Sequence, residues 1–144
     1  MNAKNKIKIK EVSSAGSVSI DKKCSRCKQS ICCNSINQPI PTPKTREDFD
    51  HLIWQVSHEN INIFKDADGW FLHVDTNCMH LLPGGICGIY ETRPWVCREY
   101  TNDFCEYDQT IPQASEYFFT TYEQLEKYCR KRFKQWDRRF ELYE

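Results

Sequence analysis

The residues of this chain that could do chemistry are its cysteines. Nine occur in 144 residues, and eight fall in two blocks. Cys24, Cys27, Cys32 and Cys33 lie in the run CSRCKQSICC, and Cys78, Cys87, Cys97 and Cys105 follow in a stretch laced with glycine and proline. Thiolate is the softest ligand a protein offers and suits zinc, copper(I) or iron–sulfur clusters. C-x-x-C lets one tight turn aim two sulfurs at a single ion, so two blocks brought together by the intervening chain read as a metal site. Adjacent side chains in extended chain point to opposite faces. Cys32 and Cys33 are therefore expected to divide between a ligand and an outer thiol, or to sit between two metal positions. The second block has no C-x-x-C, which argues against a plain zinc ribbon and leaves a polynuclear thiolate site or an iron–sulfur cluster open. A metal that simply staples a small domain fits the pattern as well as a functional one.

Other side chains are weighed against that site. Arg93 and Arg98 flank Pro94 and Cys97. As fixed cations they are expected at the cofactor, donating hydrogen bonds to thiolates; the alternative is surface pairing with Glu91, Glu99 or Asp103. His80 and His73 could replace a cysteine ligand, but a lone histidine more often has a structural or solvent role. Cys129 stands apart from both blocks on an apolar seam and is expected to be a core thiol. The tract KYCRKRFKQWDRR is basic with interleaved aromatics, yet the aromatics follow helical spacing, so a solvated helix face is expected rather than a nucleic-acid interface.

Composition narrows the class further. Lysine plus arginine equals aspartate plus glutamate, at 20 each, so charge points to no polyanionic partner. The start, MNAKNKIKIKEVSSAG, holds no apolar run of signal-peptide length, and no stretch approaches the roughly 18 apolar residues of a membrane span. The cysteine count is odd, and the chain carries more core-forming aromatics than a disulfide-stapled miniprotein needs. The expectation is a reduced, cytoplasmic protein, free of the membrane, with metal ions as partners and a protein as a further candidate.

The elements that must position the cysteines give an α+β class: a small single domain with a β-hairpin, two main helices and irregular metal-binding cysteine loops. Residues 1–20 read as a mobile arm, in which Ile7, Ile9 and Val12 could form an edge strand. Residues 21–110 read as the cysteine-cluster domain, and 111–144 as a C-terminal amphipathic helix packed on it. Pro39, Pro41 and Pro43 favour an extended polyproline-like connector. Thr45 can cap a helix to about Ser57 whose Phe49, Leu52, Ile53 and Val56 make one apolar face. INIFKDA and WFLHV flank Asp68-Gly69, which predicts a two-residue hairpin turn there. Thr92-Arg93-Pro94 predicts a helix start, with Cys97 and Arg98 on the short helical turn behind it. From Thr121 onward Leu125, Cys129, Phe133, Trp136, Phe140 and Tyr143 step by three or four, predicting one long helix with a continuous apolar seam.

These motifs resemble those of the YkgJ-type cysteine-cluster family, whose suggested role is zinc or iron chelation. The carriers are CSRCKQSICC, a helix opened by TREDF, and a second pattern formed by Cys78, Gly85, Cys87, Ile89, Tyr90, Arg93, Pro94, Cys97 and Arg98, with Cys105 beyond. The resemblance spans roughly residues 22–107. One departure is that four residues separate Cys27 from Cys32, where the family name implies a shorter gap. The resemblance implies metal binding through Cys24, Cys27, Cys32, Cys33, Cys78, Cys87, Cys97 and Cys105, and leaves zinc against iron–sulfur open. Flagellin lysine methylases carry a similar cysteine block. That likeness implies an alternative role, an iron–sulfur-dependent enzyme or enzyme subunit in methyl transfer or redox chemistry.

Overall fold

A computed structural model describes residues 31–99 and 109–143. The arm at residues 1–20, Cys24, Cys27 and Cys105 lie outside the described residues. The fold is α+β and divides into two compact units: one contains Thr76–Ala114 and the chain up to Ile36, the other Asn37–Asp75 and Ser115–Glu144.

The second unit holds the hydrophobic core. Its elements are β1 (Ser35–Ile40, whose first residues belong to the other unit), α1 (Arg46–Val56), β2 (Ile61–Asp66), β3 (Gly69–Asp75), β6 (Tyr117–Phe119) and α4 (Tyr122–Arg132), followed by a 3-10 helix over Trp136–Tyr143. The sheet order is β1-β3-β2-β6, with β2 antiparallel to both β3 and β6. Alternation along these strands sorts the side chains. Ile63, Leu72, Trp70, Tyr117 and Phe119 join the core made with Phe49, Leu52, Ile53 and Val56 of α1 and Leu125 and Cys129 of α4. On the opposite face Phe71, Phe64 and Phe118 stack at 4.9 and 6.0 Å. His73 is buried there, with Nδ1 2.6 Å from Asn37 Oδ1 and Nε2 2.9 Å from Asp75 Oδ1.

Helix α1 starts as its sequence dictates. The Thr45 hydroxyl accepts from the Asp48 amide at 3.1 Å, and Asp48 Oδ2 accepts from the Lys44 and Thr45 amides at 2.8 and 3.0 Å. These amide hydrogens hold the Asp48 carboxyl below its ordinary range. Asp48→Ala should cost about 1 kcal/mol at neutral pH through loss of the capping box. A group whose native pKa is depressed contributes fully above its unfolded pKa and loses that contribution as pH falls through the native value. Urea titrations of wild type and variant should therefore differ at neutral pH and converge in acid.

Three expectations are corrected. The hairpin turn lies one residue earlier, at Ala67-Asp68, because Asp66 pairs with Gly69. Asp66 Oδ1 accepts from the Asp68 amide at 2.8 Å, and Gly69 at φ 127° opens β3. The proline segment is not wholly a connector: Pro39 lies inside β1, at the edge of the sheet, where a missing amide hydrogen is tolerated. The terminal helix does not run on. Phe133 is extended, at φ −117° and ψ 114°, and the chain re-enters as a tighter 3-10 turn. The break keeps Trp136 buried and leaves Phe140 55% exposed.

Cys129 is fully buried in the core, and burial pushes its thiol up to about 12. Since the thiolate is the nucleophile, an alkylating reagent at mildly alkaline pH should leave Cys129 unmodified in the native protein and label it after denaturation, as read by peptide mass spectrometry. Three arginines of the basic tract that spans α4 and the following 3-10 helix pair with nearby acids: Arg130 binds Glu126 and Asp137, Arg138 binds Glu141, and Arg139 binds Asp50. Among the described residues no helix is long and apolar enough to cross a membrane.

Candidate metal centre

The cysteine-bearing unit is built from turns. Every buried residue among those described belongs to the other unit; here none is buried. Its described elements are a 3-10 turn at Ile31–Cys33, the two-residue strands β4 (Leu81–Leu82) and β5 (Ile86–Cys87), a 3-10 turn at Tyr90–Thr92, and the short helices α2 (Trp95–Glu99) and α3 (Ile111–Ala114).

Backbone pairing joins the two cysteine blocks. The Cys78 amide donates to the Cys33 carbonyl at 2.8 Å, and the Thr76 amide to the Asn34 carbonyl at 3.1 Å. Cys32 and Cys33 occupy a 3-10 turn rather than extended chain, so the opposite-face expectation does not apply, and their side chains are hydrogen-bonded to each other.

Beyond Cys78 the chain turns, and Leu81 of β4 pairs with Cys87 of β5 in an antiparallel ribbon. Pro83-Gly84-Gly85 supplies the ribbon's turn. Past Cys87 the Gly88 amide donates to the His80 carbonyl at 2.8 Å, and a Cβ at Gly88 would come within 3.0 Å of that oxygen. Glycine is thus favoured by close approach.

Helix α2 begins behind Pro94, whose carbonyl accepts from the amides of Cys97 and Arg98 at 3.0 and 3.3 Å. The helix start is as expected. Arg98 Nε donates to the Arg93 carbonyl at 3.1 Å, and its Nη2 donates to the Glu91 carbonyl, tying the 3-10 turn to the helix. Arg93 stacks its guanidinium over the Tyr90 ring, 3.9 Å from the centroid. Residues i and i+3 eclipse in 3-10 geometry, so the Tyr-x-x-Arg spacing was the sequence signal for this contact, and the role of Tyr90 was missed.

The thiols of this unit sense one another. Partial burial raises the Cys33 thiol, the hydrogen bond from Cys32 lowers it, and the neighbouring Cys78, Cys87 and Cys97 raise it further. Cys97 is likewise raised by burial and by Cys78 and Cys87, while Arg93 opposes the shift. Cys33, Cys78, Cys87 and Cys97 thus form one electrostatic neighbourhood drawn from both blocks. Among the described residues no group of three His, Cys, Asp or Glu side chains closes into a metal-holding arrangement. None of the described cysteines, Cys32, Cys33, Cys78, Cys87, Cys97 and Cys129, forms a disulfide. His80 is exposed at the ribbon, and His73 has both ring nitrogens engaged within the sheet unit.

The donor set fits a soft or borderline cation. Neighbouring thiols that resist ionisation beside one another are stabilised as thiolates by a bound dication, which inverts the local pKa logic. The half-buried Arg93 points the same way: its Nε and Nη2 atoms are buried and find no hydrogen-bond acceptor among the described residues, as expected of a cation facing an anionic centre.

Comparison with curated proteins and with solved structures yields no match. A family comparison matches residues 23–130, well over half of the chain, to the family described as "CxxCxxCC: Putative zinc- or iron-chelating domain". The matched segment contains both cysteine blocks and the Arg93–Pro94 turn, so the chain belongs to this family.

Proposed function

We propose that this protein is a metal-binding module in which Cys24, Cys27, Cys32, Cys33, Cys78, Cys87, Cys97 and Cys105 hold zinc or an iron–sulfur centre as thiolates in the reducing cytoplasm. The observation that carries the reading is the contrast between the units. The sheet unit has a packed aromatic core, whereas the described residues of the cysteine unit include none that is buried. A segment of that size without a core needs another source of order, and small domains obtain it from disulfides or metal. The absence of disulfides among the described cysteines there and the family membership favour metal. A structural zinc site contributes an apparent 10–16 kcal/mol or so, ample to order such a unit. The metal is then part of the fold.

The test is elemental analysis of protein purified without oxygen. Stoichiometric zinc in colourless protein, or iron with acid-labile sulfide and visible absorbance, supports the reading and identifies the metal. Protein that contains neither, and takes up neither when reduced and supplied with the ions, refutes it.

A further inference from the structure

We infer that Arg93 is the hydrogen-bonding counter-cation of the thiolate centre, donating through Nε and Nη2 to metal-bound cysteine sulfur, Cys97 foremost, while Arg98 holds the loop. The inference rests on the metal-binding reading above. The two arginines look alike in sequence, but the structure separates them. Arg98 is engaged by the carbonyls of Arg93 and Glu91. Among the described residues, Arg93 has two donor atoms buried without an acceptor.

An unpaired buried donor costs about 1–3 kcal/mol, and more when charged, so a side chain held that way has a partner in the working protein. It is also firmly held. The Tyr90 ring lies 3.9 Å from its guanidinium carbon, Arg98 grips its carbonyl, and its position before Pro94 confines its backbone to the extended form, φ −59° and ψ 150°. Cys97 lies one turn further on, its amide donating to the carbonyl of Pro94, the residue after Arg93, at 3.0 Å.

A guanidinium presents its donors as a rigid planar fork, which an ammonium cannot reproduce. Donors aimed at thiolates lower their charge density and their mutual repulsion, and loss of such outer partners typically weakens a metal site by about 10–100-fold.

The experiment uses wild type, Arg93→Lys and Arg93→Met, each loaded with zinc without oxygen and mixed with excess chromophoric chelator. The expected result is full zinc loading with release about 10–100-fold faster in both variants. Release at the wild-type rate in both overturns the inference. So does a wild-type rate in Arg93→Lys alone, since charge without the fork would then suffice. Far-UV circular dichroism after zinc removal should be the same in all three proteins. An equal loss of structure with and without zinc would mark a merely structural arginine and would also overturn the role. Should Arg93→Met fail to fold, Arg93→Lys decides. Wild type that binds no zinc and no iron defeats the metal-binding reading itself, an outcome independent of position 93.

Discussion

Alanine in place of Asp50 is expected to destabilise the sheet unit by about 3 kcal/mol, the low end of the range for removing one partner of a buried ion pair. Arg139 is 4% exposed, and its Nε donates to Asp50 at 2.8 Å. Its guanidinium lies between the rings of Trp136 and Phe140, 4.1 and 4.0 Å from their centroids. This contact fastens the terminal 3-10 helix to α1. Without Asp50 the cation keeps its burial and loses its closest counter-charge. Asp137, 3.6 Å from Nη1, recovers part of the loss, which is why the low end applies. The reverse change should be milder. In Arg139→Met the remaining Asp50 is one-third exposed and can be hydrated, and the methionine retains apolar contact with Trp136. The double variant Asp50→Ala/Arg139→Met should therefore recover most of the stability lost by Asp50→Ala alone. Urea denaturation of the three proteins tests this. A loss below about 0.5 kcal/mol for Asp50→Ala, the range of ordinary surface changes, would show that the pair does not fasten the helix.

Legibility from sequence varies across the chain with the kind of force that shapes each part. Helix α1 was readable in its start and its buried face, because its Thr45 cap and its apolar stripe are local signals. Its Phe49, Leu52, Ile53 and Val56 are the residues found buried. The hairpin was readable, but its turn slipped by one. Asp68-Gly69 is a good turn dipeptide in isolation, yet the Asp66 side chain captures the Asp68 amide and shifts the pairing. The terminal break at Phe133 was not readable, since the apolar period continues past it. What ends α4 is tertiary: Trp136 packs in the core and Arg139 reaches Asp50. Strand β1 was missed for a related reason. Pro39 and the prolines after it favour extended chain in any setting, and only the neighbouring β3 makes Ser35–Ile40 a strand. At the metal centre, cysteine spacing marked the two blocks, but the distinction between Arg93 and Arg98 depends on carbonyl positions in a turn that no pattern of residue types encodes.

Serine at Cys97 should remove the metal and, with it, the order of the cysteine unit alone. Cys97 belongs to the thiol neighbourhood that includes Cys33, Cys78 and Cys87, so losing one donor from a closed thiolate site exposes the remaining ones to exchange. The two units then respond differently because their sources of order differ. An apparent 10–16 kcal/mol or so from a structural zinc equals or exceeds the roughly 5–15 kcal/mol that hold an ordinary domain together, and the described residues of the cysteine unit bury no side chain that could replace it. The sheet unit keeps Phe49, Ile63, Leu125 and Trp136 packed regardless. Hydrogen exchange read by mass spectrometry should thus show lost protection in peptides covering Thr76–Glu99 and retained protection in α1, β2 and α4, both for Cys97→Ser and for wild type treated with a strong chelator. Cys129→Ala is the internal control. It truncates a buried thiol in the sheet unit, so its cost should be a few kcal/mol at most, with metal content unchanged. Uniform unfolding of both units on chelation would mean that the metal orders the whole chain. Unchanged metal and unchanged exchange in Cys97→Ser would remove this cysteine from the ligand set. A selective response separates a metal-ordered half from a half held by its own packed core.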